Sequence, residues 1–301
     1  MIQPDAIAIY STDQDLLEKA QSKLSPLLPV ALNPAAITPH TLIFVDDNAG
    51  KDLSTLTREI PAHLLCWIGR ADDHTHVRLI QSHGLRHLMG FDPIHTPEEM
   101  ERHTKKLLAK KIWGLAPYLA SNIVPDDVSL SESKREMTKI DEIIRQQDWS
   151  EFFDSPIDYL TLVANELVSN ALYNGPEEKR TNTDYPVDRK NPVFLKGSEL
   201  VQVHLGIDAH LAALSVVDCF GTLTWEKVIE NLNRSFTEKT VQHKKGGAGL
   251  GLYLAYSHAN QFVVNRRPGL RTEVICLIEK NRRYKTYKQR LKSFHFFEEA
   301  H

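Results

Sequence analysis

The sequence predicts an α/β protein: an N-terminal unit on a parallel sheet, a helical linker and a C-terminal α/β sandwich. Three observations predict it. Short apolar runs alternate with helical stretches over the first third of the chain. A charged, helix-favouring segment follows. From about residue 150 a dense amphipathic helix precedes a strand hairpin and a glycine-rich turn. Strands separated by helices imply crossover connections and a parallel sheet, whereas a short polar turn between β-branched runs implies an antiparallel pair.

Composition bounds the function classes. A chain of 301 residues, 42% hydrophobic and 25% charged, has the length and content for two ordinary cores. The net charge of −3 gives no overall attraction to nucleic acid, so no specific nucleic-acid partner is expected. Cys66, Cys219 and Cys276 lie inside apolar runs without C-x-x-C spacing, which reads as buried thiols rather than disulfides or zinc ligands. The histidines are scattered without ligand spacing, so no metal beyond magnesium is expected. The opening Met-Ile-Gln-Pro-Asp lacks a signal core and no apolar run approaches membrane-spanning length. The expectation is a cytoplasmic protein without a membrane span.

The first domain is read as residues 1–95. Strands are expected over 6–10, 41–45 and 64–68, helices over 13–24 and 74–83, and a short last strand over 84–89. This layout resembles the flavodoxin-like receiver domain of response regulators. The resemblance implies a phosphoryl-accepting aspartate beside a divalent metal, for which Asp46 and Asp47 close the expected second strand. Three departures stand against a working switch. Ser11, Thr12 and Asp13 follow the first strand where receivers carry an acidic pair, Gly69 stands where Ser or Thr is usual, and residues 88–93 contain no lysine. The expectation is therefore a pseudo-receiver that docks partners or itself, with Asp46 and Asp47 at a solvated strand end.

Residues 96–149 form the expected linker. Thr96 can cap a helix with Pro97 in its first position, and Met100, Leu107, Leu108, Ile112 and Leu115 share a stripe. A second amphipathic stretch, 131–147, carries Met137, Ile140, Ile143 and Ile144. The two helices are expected either to form a hairpin that makes a homodimer or to pack on the C-terminal domain.

The C-terminal domain, 150–280, carries the functional argument. Glu166, Asn170 and Asn174 lie one helical turn apart and so share a face. Two β-branched strands flank Asp208-Ala-His210, and the second ends at Asp218. A carboxylate there can accept a hydrogen bond from an adenine amine, worth about 1.5–3 kcal/mol if dry. Gly221 permits a left-handed turn, and 224–245 reads as a lid, helical over 225–232 and then polar. Gly246-Gly247-Ala248-Gly249-Leu250-Gly251-Leu252 then opens a helix, so backbone N–H groups and the helix N-terminus would face phosphate. It is neither a Walker loop nor a dinucleotide fingerprint, since it lacks G-K-[ST] and follows a polar stretch. Further strands are expected over 262–265 and 272–278.

Together these motifs resemble the Bergerat-type fold of the GHKL superfamily of ATPases and kinases. The resemblance implies a largely antiparallel sheet under helices, binding ATP and Mg2+. It implies Asn170 as Mg2+ ligand, Glu166 as the group polarising the attacking hydroxyl or water, and Asp218 as the adenine-reading acid. Gly247, Gly249, Leu250 and Gly251 correspond to the phosphate loop, Asn174 and Gly221 to the pocket, and Thr272 to the threonine behind adenine. The family's D-x-G-x-G is here Asp218-Cys-Phe-Gly221-Thr, with one glycine displaced and one absent.

The region after the glycine run is similar to the anti-sigma serine-kinase branch. This implies a protein that uses Mg-ATP to switch, or to phosphorylate on Ser or Thr, a protein partner such as a regulator or a sigma/anti-sigma-type factor. A non-catalytic ATP-dependent scaffold is the alternative. An orphan histidine kinase is third: His103 is followed by Thr104 and Lys105 rather than by an acid, so it is read as a solvated helix residue. The tail, 281–301, follows Lys280 with basic residues to Lys292 and then Phe294, Phe296 and Phe297. It is expected to be a terminal helix whose aromatics pack on the domain, with binding to an acidic partner, nucleic acid or an anionic membrane surface as the other reading.

Overall fold

The computed structural model describes residues 3–132, 137–153, 156–176, 193–195, 197–237 and 250–299. They divide into two units, Met1–Ile112 with Leu291–Phe297, and Trp113–Arg290 with Glu298–His301.

In the first unit, β1 (Ala6–Tyr10), β2 (Val30–Leu32), β3 (Thr41–Asp46), β4 (Leu65–Gly69) and β5 (His87–Gly90) form a sheet in the order β2-β1-β3-β4-β5. All four pairings are parallel, a doubly wound order. β3 and β4 are buried along their whole length, as parallel strands covered on both faces must be. The helices are α1 (Gln14–Leu24), α2 (Leu53–Glu59), α3 (Asp73–His83) and α4 (Thr96–Ala109). Asp13 caps α1 and Asp72 caps α3 through their side chains, and left-handed Gly84 ends α3.

Two expectations are corrected here. The linker helices do not form a hairpin: α4 buries Met100, His103 and Leu107 in the first unit, packing on α1 and β5. Of its expected stripe, Met100 and Leu107 are buried from α4, whereas Ile112 and Leu115 lie beyond the helix end at Ala109, and the chain then enters a strand, β6 (Asp126–Leu130), before α5 (Met137–Arg145) in the second unit. The tail is not a terminal helix. After the short α9 (Tyr284–Gln289) it forms β11 (Ser293–Glu298), antiparallel to β5 with Phe294 opposite Leu88 and His295 opposite His87. The aromatics Phe294, Phe296 and Phe297 are buried, but from a strand and as part of the first unit.

In the second unit β6, β7 (Val201–Ile207), β8 (Leu211–Asp218), β9 (Gln261–Arg267) and β10 (Arg271–Glu279) run β9-β10-β8-β7-β6. Every pairing is antiparallel. The β7–β8 turn is closed by Asp208, whose Oδ1 accepts from the His210 and Leu211 amides at 2.7 and 3.0 Å. α6 (Pro156–Ser169) packs against α5, β8 and α8 (Leu250–His258), and α7 (Trp225–Thr237) also packs on α8. Buried Glu273 on β10 accepts from Ser215, Asn265 and the Gly114 amide, tying the start of this unit to its sheet. Among the described residues no helix is long and apolar enough to cross a membrane.

Candidate functional site

In the second unit Asp218, Gly221 and Thr272 lie together at the end of β8, Asn170 and Asn174 lie on a turn whose Gly175 abuts Phe220, and Glu166 lies against Gly251. Asp218 is 9% exposed and pairs in register with Thr272 on β10. Its Oδ1 accepts from the Phe220 amide at 2.8 Å and the Gly221 amide at 3.3 Å. Burial raises its pKa to about 6, outweighing these amide bonds and the nearby Thr272, which favour the charged form. The Thr272 hydroxyl lies close enough to help hold that charge, yet Oγ1 is buried without a partner in regular hydrogen-bond geometry.

Gly221 explains how the chain leaves Asp218. It is left-handed, at φ 63°, and a Cβ there would overlap the Arg267 carbonyl and stand 2.6 Å from the Leu270 nitrogen. Only glycine meets both demands. The Gly221 carbonyl accepts from Arg266 Nε and the Gly269 amide at 3.0 and 3.2 Å. The loop after Asp218 is thereby stitched to the β9–β10 turn that delivers Thr272.

On the helical side, α6 continues into a π-helical turn, Asn170–Asn174, closed by the Gly175 amide donating to the Asn170 carbonyl. Such widened turns recur at functional sites because they redirect side chains. The Asn174 carboxamide donates to Asn170 Oδ1 at 3.1 Å. A Cβ on Gly175 would lie 2.6 Å from the ring of Phe220, so this turn abuts the loop that follows Asp218.

Glu166 lies one turn earlier. A Cβ on Gly251 would overlap Glu166 Oε2 and stand 2.9 Å from its Cδ. The Glu166 carboxylate therefore rests against Gly251 in the first turn of α8, where the helix dipole favours an anion. Leu250 is the first residue of α8. Gly247, Gly249 and most of the expected polar lid lie outside the described residues.

The first unit holds a second carboxylate group. Asp46 is fully buried; its Oδ2 accepts from Ser11 Oγ at 2.7 Å, its Oδ1 accepts from the Asn48 amide at 3.0 Å, and both oxygens bond the Arg70 guanidinium. Asp47 accepts from the Arg70 guanidinium and from the Arg70 backbone amide, each at 2.6 Å, and Asp13 Oδ2 lies 3.6 Å from the same guanidinium. The solvated strand end expected for Asp46 is thus corrected: an arginine from the end of β4 enters the carboxylate cluster. Burial alone would raise Asp46, but the bonds from Arg70, Asn48 and Ser11 together hold it below the ordinary carboxylate range.

His103 also departs from expectation. It is 3% exposed, packed among His87, His295, Phe44 and Phe297. Burial first, and then the neighbouring His295 and Lys106, push its pKa well below the usual histidine value. A buried imidazole in this setting is neither the solvated residue expected nor one presented to a nucleotide. Linear spacing gave no sign of the cluster, since His87 and His295 are 208 residues apart. The one local signal was Glu99 and His103, four apart on one helix face.

No protein-family model matches the chain, and no curated protein matches it in sequence.

Proposed function

We propose that the second unit binds Mg-ATP in a GHKL-type pocket and uses it to switch, or to phosphorylate on Ser or Thr, a protein partner in the cytoplasm. The observation that carries this reading is a buried carboxylate paired in register with a buried hydroxyl: Asp218 Oδ1 accepts from two backbone amides, and Thr272 Oγ1 beside it has no hydrogen bond of regular geometry among the described residues. An adenine amine donating to Asp218 would compensate a charge that burial disfavours. Asn170 would hold Mg2+, Glu166 would polarise the attacking hydroxyl or water, and the glycine run before α8, with Gly251, would meet the phosphates.

Titration of the full chain with ATP and Mg2+, followed by product analysis, tests it. Asp218→Ala is expected to weaken ATP binding at least tenfold, and Glu166→Ala to keep binding and lose turnover. Unchanged affinity in the first variant would remove the adenine role of Asp218.

A second reading, a non-catalytic ATP-dependent scaffold, is favoured by two observations. Glu166 rests against the helix terminus that would take phosphate, and the acid cluster of the pseudo-receiver-like first unit is occupied by Arg70. Stoichiometric ATP binding without product, with candidate partners present, selects it.

A further inference from the structure

Three histidines from three elements meet inside the first unit. His87 on β5 and His295 on β11 are directly opposite in register, and α4 lays His103 over the same face. Ring centroids are 4.5 Å apart for His87 and His103 and 5.2 Å for His103 and His295. One ligand nitrogen from each of the three lies within 4.8 Å of the others.

A purely packed aromatic cluster would account for the shape but not for the polar atoms. Both nitrogens of His103 and Nε2 of His87 are buried without a hydrogen-bond partner, a costly arrangement for side chains whose volume an aromatic hydrocarbon ring would fill. His295 is held differently. Its Nε2 faces Glu99 Oε1 at 2.8 Å, while Glu99 Oε2 accepts from Ser293 Oγ at 2.9 Å and Ser293 Oγ accepts from the Gly90 amide at 3.1 Å. A carboxylate that orients an imidazole, and is itself oriented, is the usual support of a metal-bound histidine.

We propose that His87, His103 and His295 form a buried site for a divalent transition ion of the zinc class, with Glu99 as the residue that orients His295. With Glu99 accepting, His295 carries its proton on Nε2 and turns the Nδ1 lone pair towards His87 Nδ1, 3.3 Å away. Two nitrogens bound to one tetrahedral zinc at about 2.0–2.1 Å stand roughly 3.4 Å apart, so this pair already has the required spacing. Binding forms coordinate bonds from neutral imidazole lone pairs. The proton His87 uses in the Nδ1 contact shifts to its Nε2, and no net charge is lost from the ligands. Imidazole ligands select zinc, copper, iron or nickel over magnesium or calcium. Lys106, buried on α4 with Nζ 4.3 Å from the Phe297 ring centroid, opposes a dication, and Glu99 offsets it.

The test uses the tag-free full chain, stripped with a chelator and titrated with Zn2+ against a chromophoric competitor, and then with Co2+ followed by visible absorption. One zinc per chain is expected, with the intense visible band of low-coordinate cobalt at the same site. His103→Phe fills the space with a ring and should lose that equivalent at least a hundredfold in affinity while its circular dichroism is unchanged. Glu99→Gln should bind 10- to 100-fold more weakly, about the usual effect of removing an orienting carboxylate. Absence of zinc uptake by the natural chain overturns the proposal. So does wild-type affinity in a folded His103→Phe or, should that variant fail to fold, in Glu99→Gln.

Discussion

Asp46 and Asp218 each end an apolar strand, one in each unit, and their surroundings drive them in opposite directions. Asp46 is fully buried, yet Arg70, the Asn48 amide and Ser11 overcome burial and keep it ionised. Asp218 is almost as buried, but it is held by amides and a hydroxyl, and burial raises it to about 6. A carboxylate already neutralised by an internal cation has little to gain from a bound cation or donor. One kept in a dry site without a cation gains from any donor that enters. This difference supports the proposal that the second unit recognises a ligand through Asp218, whereas the Asp46 cluster of the first is a fixed, structural one.

The most severe way to break the comparison is to remove the cation. Arg70→Ala leaves Asp46 buried beside Asp47 and Asp13 without a counter-charge, which should destabilise the first unit by about 3–5 kcal/mol. Hydrogen exchange across β3 and β4 reads this directly. If protection there is unchanged, Arg70 does not neutralise the cluster, and the contrast with Asp218 loses its basis.

Much of this contrast was open to sequence reasoning on one side and hidden on the other. Asp218 was legible because β-branched runs on both sides of Asp208-Ala-His210 define a hairpin, and a strand end fixes where its last side chain stands. Glu166 stands on a helix that its apolar spacing predicts, whereas the π-helical turn that begins at Asn170 leaves no mark in that spacing. Arg70 was not legible, because its meeting with Asp46 depends on the register of β3 against β4, which pairs Asp46 with Ile68. β11 was hidden for a related reason. Its residues 293–298 follow a basic stretch and read as part of a terminal helix, and pairing with β5 makes them a strand. β6 lies within the segment expected to be a linker of two helices, and its two leading aspartates are exposed. Local patterns show what a segment can form, whereas long-range register decides which side chains it meets.

A smaller effect of opposite sign is expected at Asp218. Below about pH 4 the carboxyl is protonated in both the folded and unfolded chain. Between about 4 and the folded value near 6, the unfolded chain has ionised while the folded one still holds its proton. Stability contributed by this group therefore falls as pH rises through that window, and the full penalty, on the order of 3 kcal/mol, stands above it. Asp218→Asn keeps an oxygen for the Phe220 and Gly221 amides and removes the charge. It should be more stable than the natural chain at pH 7.5 and about equal to it near pH 4, by urea unfolding without nucleotide. Equal stability at both values would mean that Asp218 is as well compensated as Asp46.

The smallest structural effect is expected at the helix terminus that Glu166 occupies. In Gly251→Ala the new methyl meets the Glu166 side chain, chiefly its movable carboxylate and also its Cβ at 3.2 Å, whereas the same change at Gly221 would press on fixed backbone at a left-handed φ. The Gly251 variant should therefore lose less than about 1 kcal/mol of stability, by displacing the carboxylate rather than the fold. Its consequence lies in function. If Glu166 polarises the attacking group, moving it should slow ATP turnover at least tenfold while nucleotide binding through Asp218 changes little. Loss of binding and turnover in equal measure would instead place the phosphates where the methyl now stands, and the role of Glu166 would reduce to filling the helix terminus until nucleotide arrives.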